Sequence, residues 1–335
     1  MKKFIYTASA ALVLASGITS CELHQKPDGF GTDPTETIVA ATVNVSLPLP
    51  ELENGAETPL SRADGLRYYH RFVIEVMGDD QRVHEHKEYF LDVDNDATSV
   101  TLPVDLRLNA RNYRLLVWSD YVNDNNRDTG WFYNCESLTP VYPTGKYNGN
   151  NIYKDAFDAC APLDLRPYAD KWQAKVDIDV ELRRPVGRYT LISTDLNAFR
   201  NKLNAGTISG KTFTARIRYS SYIPTGFNVL EQTPKNMLNY LSYNVNLGDM
   251  KSADNSSVQI AFDYVMSRNE NVEIPLEIEI VNENNQLLSN CSINVPVKAG
   301  YNSIVRGRFL TATTDGGMSI DPDFDGSIDI DLGKL

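Results

Sequence analysis

His84, His86 and Glu88 alternate along an apolar-polar segment, so a strand there would present two imidazoles and a carboxylate on one face. That is a donor set zinc accepts. A lone His-x-His is a short motif, however, and the plainer reading is an exposed polar face; His70 is the only other histidine in the expected folded body. Asp321, Asp323 and Asp325, followed by Gly326, resemble the opening of a calcium loop, with Asp329 at its ninth position. Leu332 stands where the bidentate Glu belongs, and a solvated acidic loop is the better expectation. Asp124–Gly130 is a second near miss, its glycine one place late. Cys135 and Cys160 bracket a loop-rich insertion. A disulfide closing it would contribute ~3 kcal/mol if unstrained. Cys291 has no evident partner and reads as a buried thiol. No GxSxG, HExxH, P-loop or dinucleotide fingerprint occurs. No catalytic residue and no cofactor is therefore expected, although a hydrolase working through unpatterned carboxylates stays open as a third possibility.

The elements that would position these residues are β-strands. The 335-residue chain carries 44 Asp and Glu against 32 Lys and Arg, a net charge of −12, which disfavours nucleic-acid partners. Its 18 tyrosines favour strands. Period-two alternation runs through Val39–Leu49, Phe72–Val76, Val100–Val104 and Lys175–Leu182 in the first half. In the second half it runs through Phe213–Tyr219, Tyr240–Leu247, Val258–Phe262, Ile274–Ile280, Ile293–Val297 and Ser303–Leu310. Leu115–Trp118 is a continuous apolar run. One short helix is expected over Asp195–Leu203, with Asp195 as N-cap. The expected fold is all-β: two tandem Greek-key β-sandwich domains, 37–184 and 185–312, meeting at Arg183-Arg184-Pro185. Six Asp mark the last 21 residues, and 313–335 reads as an acidic tail in which Ile328, Ile330 and Leu332 alternate as in a strand. No sequence repeat is legible.

Residues 1–20 have the build of a secretory signal: Lys2 and Lys3, then an apolar stretch too short to span a bilayer, then small residues before Cys21. The Cys sits where a bacterial lipobox places its acylated thiol, with Ile18 and Ser20 departing from the usual residues. Cys21 is the expected lipidation site, and 21–36 is expected to be a flexible tether.

The stretch Leu182-Arg-Arg-Pro-Val-Gly-Arg-Tyr-Thr-Leu-Ile-Ser-Thr-Asp-Leu196 resembles fimbrillin-like lipoproteins of the Bacteroidales. Trp118-Ser-Asp-Tyr121, Asn148–Phe157, Gly226-Phe-Asn-Val229 and Asp323-Phe-Asp-Gly326 agree in order, over about residues 36 to 332. The resemblance is to a branch of unassigned function rather than to the characterised major pilins. It implies two transthyretin-like domains, export to the outer membrane and cell surface as a lipoprotein, and partnership with other fimbrillin-like subunits in type V pili. It also implies a maturation in which an Arg-specific protease removes the first strand and a neighbour's strand fills the groove. Arg62, in the segment after the first strand, is the candidate cut, and Ile328, Ile330 and Leu332 mark the candidate donor. The acidic tail and the internal cysteines depart from the family pattern. The competing expectation is a non-polymerising surface lipoprotein that binds a glycan or host protein through exposed aromatics, with Trp131–Tyr153 as the place to look.

Overall fold

The computed structural model describes residues 30, 33–48, 68–93, 97, 99–123, 132–250, 256–267, 272–312 and 326–331. In the first half the strands are β1 (Ile38–Pro48), β2 (Tyr68–Gly78), β3 (Val83–Leu91), β4 (Ser99–Asn109), β5 (Asn112–Asn123), the short β6 (Tyr133–Asn134) and β7 (Tyr142–Pro143), β8 (Phe157–Asp164) and β9 (Lys175–Glu181). Then come β10 (Val186–Ser193), α1 (Leu196–Asn204), β11 (Phe213–Tyr219), β12 (Ile223–Asn228), β13 (Thr233–Leu238), β14 (Ser242–Gly248), β15 (Val258–Met266), β16 (Val272–Asn282), β17 (Leu287–Val297), β18 (Tyr301–Gly307) and β19 (Gly326–Asp331). The chain is all-β, as its alternation predicts. No helix among the described residues is long and apolar enough to cross a membrane.

In the first half, sheet β4-β1-β9 faces sheet β3-β2-β5-β8. Their inner residues, Val43, Phe72, Ile74, Leu106 and Leu115 among them, form one closed core. In the second half, β15-β10-β18-β19 faces β14-β11-β16-β17 over a core centred on Tyr189, Phe199, Ile217 and Ile278. The halves repeat one topology that the sequence does not display. Each opens with a strand in mid-sheet, antiparallel to one neighbour and parallel to the other: β1 with β4 and β9, β10 with β15 and β18.

A third core lies between the halves and explains the unbroken apolar run in β5. Leu115 and Val117 point into the first sandwich, while Leu116 and Trp118 point outward. The outward pair packs with Val73, Tyr133 and Leu138 against Val186, Phe227, Phe262 and Tyr264. A strand covered on both faces has no polar side to alternate with.

Helix α1 starts where expected, with Asp195 at its N-cap, but the Asp195 side chain makes no cap hydrogen bond. Its carboxylate accepts hydrogen bonds from Ser193 Oγ (2.5 Å), Thr311 N (2.8 Å), Thr311 Oγ1 (2.7 Å) and Leu310 N (3.3 Å), pinning the segment after β18. The β12–β13 hairpin was not foreseen. Gln232, in its turn, and Asn236 take positive φ without glycine, so no Gly signal marked it.

Candidate functional site

Strand β1 is held on both sides. It pairs antiparallel with β4 along its whole length, Ile38↔Asn109 to Pro48↔Ser99, and parallel with β9 from Ala40↔Lys175 to Ser46↔Glu181. Val39, Ala41, Val43, Val45 and Leu47 are fully buried between the sheets. Burial of the four larger side chains is worth on the order of 6–12 kcal/mol before entropy is counted. On the outer face, Thr42 Oγ1 donates to Asp105 Oδ1 (2.9 Å), and Asn44 Nδ2 donates to Asp179 Oδ1 (2.9 Å). These bonds fix the register from the solvent side. Removing β1 would bare an apolar trough and two strand edges lined with unpaired backbone groups. The segment joining β1 to β2, with Arg62 in it, lies outside the described residues, as do Cys21 and Leu332.

The other end of the chain supplies an edge strand. β19 pairs with β18 alone, Tyr301↔Asp331 to Val305↔Gly326. Ile328 and Ile330 lie in it; Asp321, Asp323 and Asp325 lie outside the described residues.

The histidines of β3 are not gathered. His84 Nε2 lies 3.1 Å from Asp80, His86 Nδ1 lies 3.1 Å from Glu75 Oε1, and Glu88 is 3.5 Å from Arg71 Nη1. Among the described residues, no three His, Cys, Asp or Glu side chains converge to hold a metal. His70 lies on the opposite face of its sheet, sealed in the first core against the Tyr121 ring at 4.4 Å, and neither ring nitrogen has a partner. Burial drives its pKa down to about 3.

The expected Cys135–Cys160 disulfide is not formed; both thiols are free. Cys135 follows β6 into the third core, beside the bidentate Arg71–Asp120 pair (2.8 and 2.5 Å), where Arg71 Nη2 lies 3.3 Å from its sulfur. Cys160 sits on β8, held by its pairing with Leu116, and its sulfur meets Arg114 Nη2 at 3.0 Å. Separate elements and separate polar partners hold the two sulfurs. Burial pushes the Cys135 thiol well up, and that of Cys291 up to about 12, so neither is primed for nucleophilic attack.

The insertion between β5 and β8 turns out to be a clasp. Asn150 N donates to Phe262 O (2.9 Å), and Phe262 N donates to Asn150 Oδ1 (3.2 Å). Lys154 Nζ meets Asp263 Oδ1 at 2.5 Å, and the hydroxyls of Tyr147 and Tyr219 donate to Asp263 Oδ2 (2.5 and 2.7 Å). Arg184, in the junction, clamps Asp155 (2.9 Å). Asp158 accepts a hydrogen bond from Gln232 across the same seam; burial raises its pKa to about 7 against the bond's opposing pull. Among the described residues of the Trp131–Tyr153 segment, Tyr133 and Tyr153 are buried here, and Tyr142 is exposed. Beside the clasp lies a cleft bordered by Phe132, Thr144, Tyr147, Asn148, Pro224 and Tyr264. The more exposed aromatic surface was not anticipated. Tyr222 (59%), Met237 (53%), Leu238 and Tyr240 (87%) flank one end of the β12–β13 hairpin.

A model described as a family of unknown function (DUF6562) matches residues 34–333. No curated protein matches the chain. Among solved structures, a candidate cell adhesion protein from Bacteroides eggerthii is similar at 10% identity and TM-score 0.48, covering 88% of this chain and 96% of that one. The fimbrial anchor protein Mfa2 from Porphyromonas gingivalis is similar at 13% identity and TM-score 0.45, covering 87% and 98%. A fimbrial assembly protein from Parabacteroides distasonis gives 9% identity and TM-score 0.38, covering 83% and 94%.

Proposed function

We propose, for a chain that belongs to the DUF6562 family of unknown function, the role of a non-catalytic, fimbrillin-like pilus subunit or accessory component. It is built as two tandem sandwiches, carried to the outer membrane as a lipoprotein acylated at Cys21, and assembled by β-strand addition. One observation carries this reading. The first strand of the body lies in mid-sheet with its whole inner face buried, yet it is joined to the rest through a long segment, 49–67, in which one cut would free it. Such a strand is severable in covalent terms and replaceable in physical terms, because main-chain bonds accept any strand and the trough selects alternate apolar side chains. Arg62 is the proposed cut, and the tail strand with Ile328, Ile330 and Leu332 is the proposed donor to a neighbouring subunit.

The test is limited digestion of the chain from Glu22 onward with an Arg-specific protease, followed by a labelled peptide of residues 38–48. Cleavage after Arg62 and uptake of the peptide in place of β1 is the expected result. A chain that stays whole, or keeps its own β1 against excess peptide, would sink the mechanism.

The exposed Tyr222 and Tyr240 favour a second reading, a non-polymerising surface lipoprotein that binds a glycan or host ligand at the hairpin end. Glycan-array binding lost on Tyr222→Ala with Tyr240→Ala would support it.

A further inference from the structure

The slot held by β1 is electrically patterned along its outer rim. The β4 and β9 residues flanking Ala40 are Arg107 and Lys175. Those flanking Thr42 are Asp105 and Asp177, and beside Asn44 and Ser46 stand Asp179 and Glu181. All six rim residues are exposed. The native occupant answers this rim with hydroxyls and an amide: Thr42 and Asn44 donate to Asp105 and Asp179, and Ser46 Oγ donates to Val180 O (3.3 Å).

The chain's own tail matches the trough and the first half of the rim, but not the half that ends at Asp179 and Glu181. Set in β1's direction, Phe324, Gly326, Ile328, Ile330 and Leu332 reproduce the inward series Val39, Ala41, Val43, Val45 and Leu47, with the small residue second and Leu last. In that register the outward residues are Asp325, Ser327, Asp329 and Asp331. Asp325 would fall between Arg107 and Lys175, and Ser327 would replace Thr42 as donor to Asp105. Asp329 would take the place of Asn44 against Asp179, and Asp331 that of Ser46 against Glu181. Each of the last two puts like charges directly across neighbouring strands, and Asp329 also leaves Asp179 without its donor.

Resting on the strand-replacement reading above, we infer that this slot is built for the strand of a different protein and discriminates against the tail of a second copy. The strand it fits alternates apolar residues in the β1 series, with a hydrogen-bond donor or a cation at the two outward positions nearest Asp179 and Glu181. The chain then joins unlike neighbours: its acidic tail goes to another protein's slot, and its own slot takes a less acidic strand. The discriminating charges are exposed, so salt screens the effect.

The experiment uses the full chain with a specific protease site inserted within 49–67, cut and left with both pieces bound, its fold checked by circular dichroism. Three labelled peptides compete for the slot: residues 38–48, residues 324–332, and residues 324–332 carrying Asp329→Asn and Asp331→Ser. At low salt the substituted tail is expected to bind roughly ten-fold more tightly than the native tail, from two cross-strand repulsions. High salt should narrow the gap, and Asp179→Asn with Glu181→Gln in the receiving chain should close it. Equal affinity of the two tail peptides at low salt overturns the inference while leaving strand replacement intact. Failure of even the 38–48 peptide to exchange overturns strand replacement itself, and this inference with it.

Discussion

Two buried titratable side chains make the fold pH-sensitive in opposite directions. His70 is sealed neutral, its pKa about 3 in the fold against an ordinary 6.5. The unfolded chain therefore binds the extra proton, and the stability His70 contributes is present above pH 6.5 and is lost as pH falls from there towards 3. His70→Phe, packed against Tyr121, should stabilise the protein more at pH 5 than at pH 8, which thermal melts at the two values would show. Asp158 runs the other way. Its folded pKa of about 7 lies above the ordinary 3.8, so the folded state holds the proton and stability drains away as pH rises from 4 to 7. Asp158→Asn keeps an acceptor for Gln232 and should remove that loss, a gain on the order of 2–4 kcal/mol at pH 8 read by urea unfolding. Neither behaviour was legible in the sequence. His70 alternates with Phe72 and Ile74 as any core position would, and nothing local announces that a histidine sits among them without a partner.

Among the elements, several strands with one wet face were legible, although the exposed β13 was not. β1, β9 and β11 alternate cleanly because their outer faces meet water. The alternation failed to show that the β5–β8 insertion is a clasp, because Tyr147, Asn150 and Lys154 make their contacts with residues more than a hundred positions away. It placed Asp195 at the N-cap of α1 but did not show where its carboxylate bonds. An Asp before a helix reads as a cap, but here long-range donors outcompete the helix amides. Asp195→Ala should therefore leave α1 largely helical while freeing the 309–312 segment. Its cost is about 2–4 kcal/mol, from several buried donors left unpaired, with faster amide exchange at Leu310 and Thr311 as the local signature. The slot of β1 was half legible: its inner face is written in the alternation, whereas its charged rim exists only once β4 and β9 are brought to either side.

At the scale of the whole molecule, the halves are joined by a packed core and by charge pairs buried in the seam. Lys154→Met leaves the buried Asp263 carboxylate short of its cation, at a cost of about 3–5 kcal/mol. Adding Asp263→Asn should return much of that loss; a single calorimetric transition that splits in Lys154→Met and rejoins in the double variant is the expected readout. The fold also has a mechanical consequence. β1 is gripped by one ladder along its whole length and a second along Ala40–Ser46, so a pull along its axis loads those hydrogen bonds in shear and must break them together. β19 is gripped by one shorter ladder at the rim of its sheet. Stretched between its two ends, the protein should surrender its C-terminal strand first, and an intact β1 should act as the stiffer of its two grips.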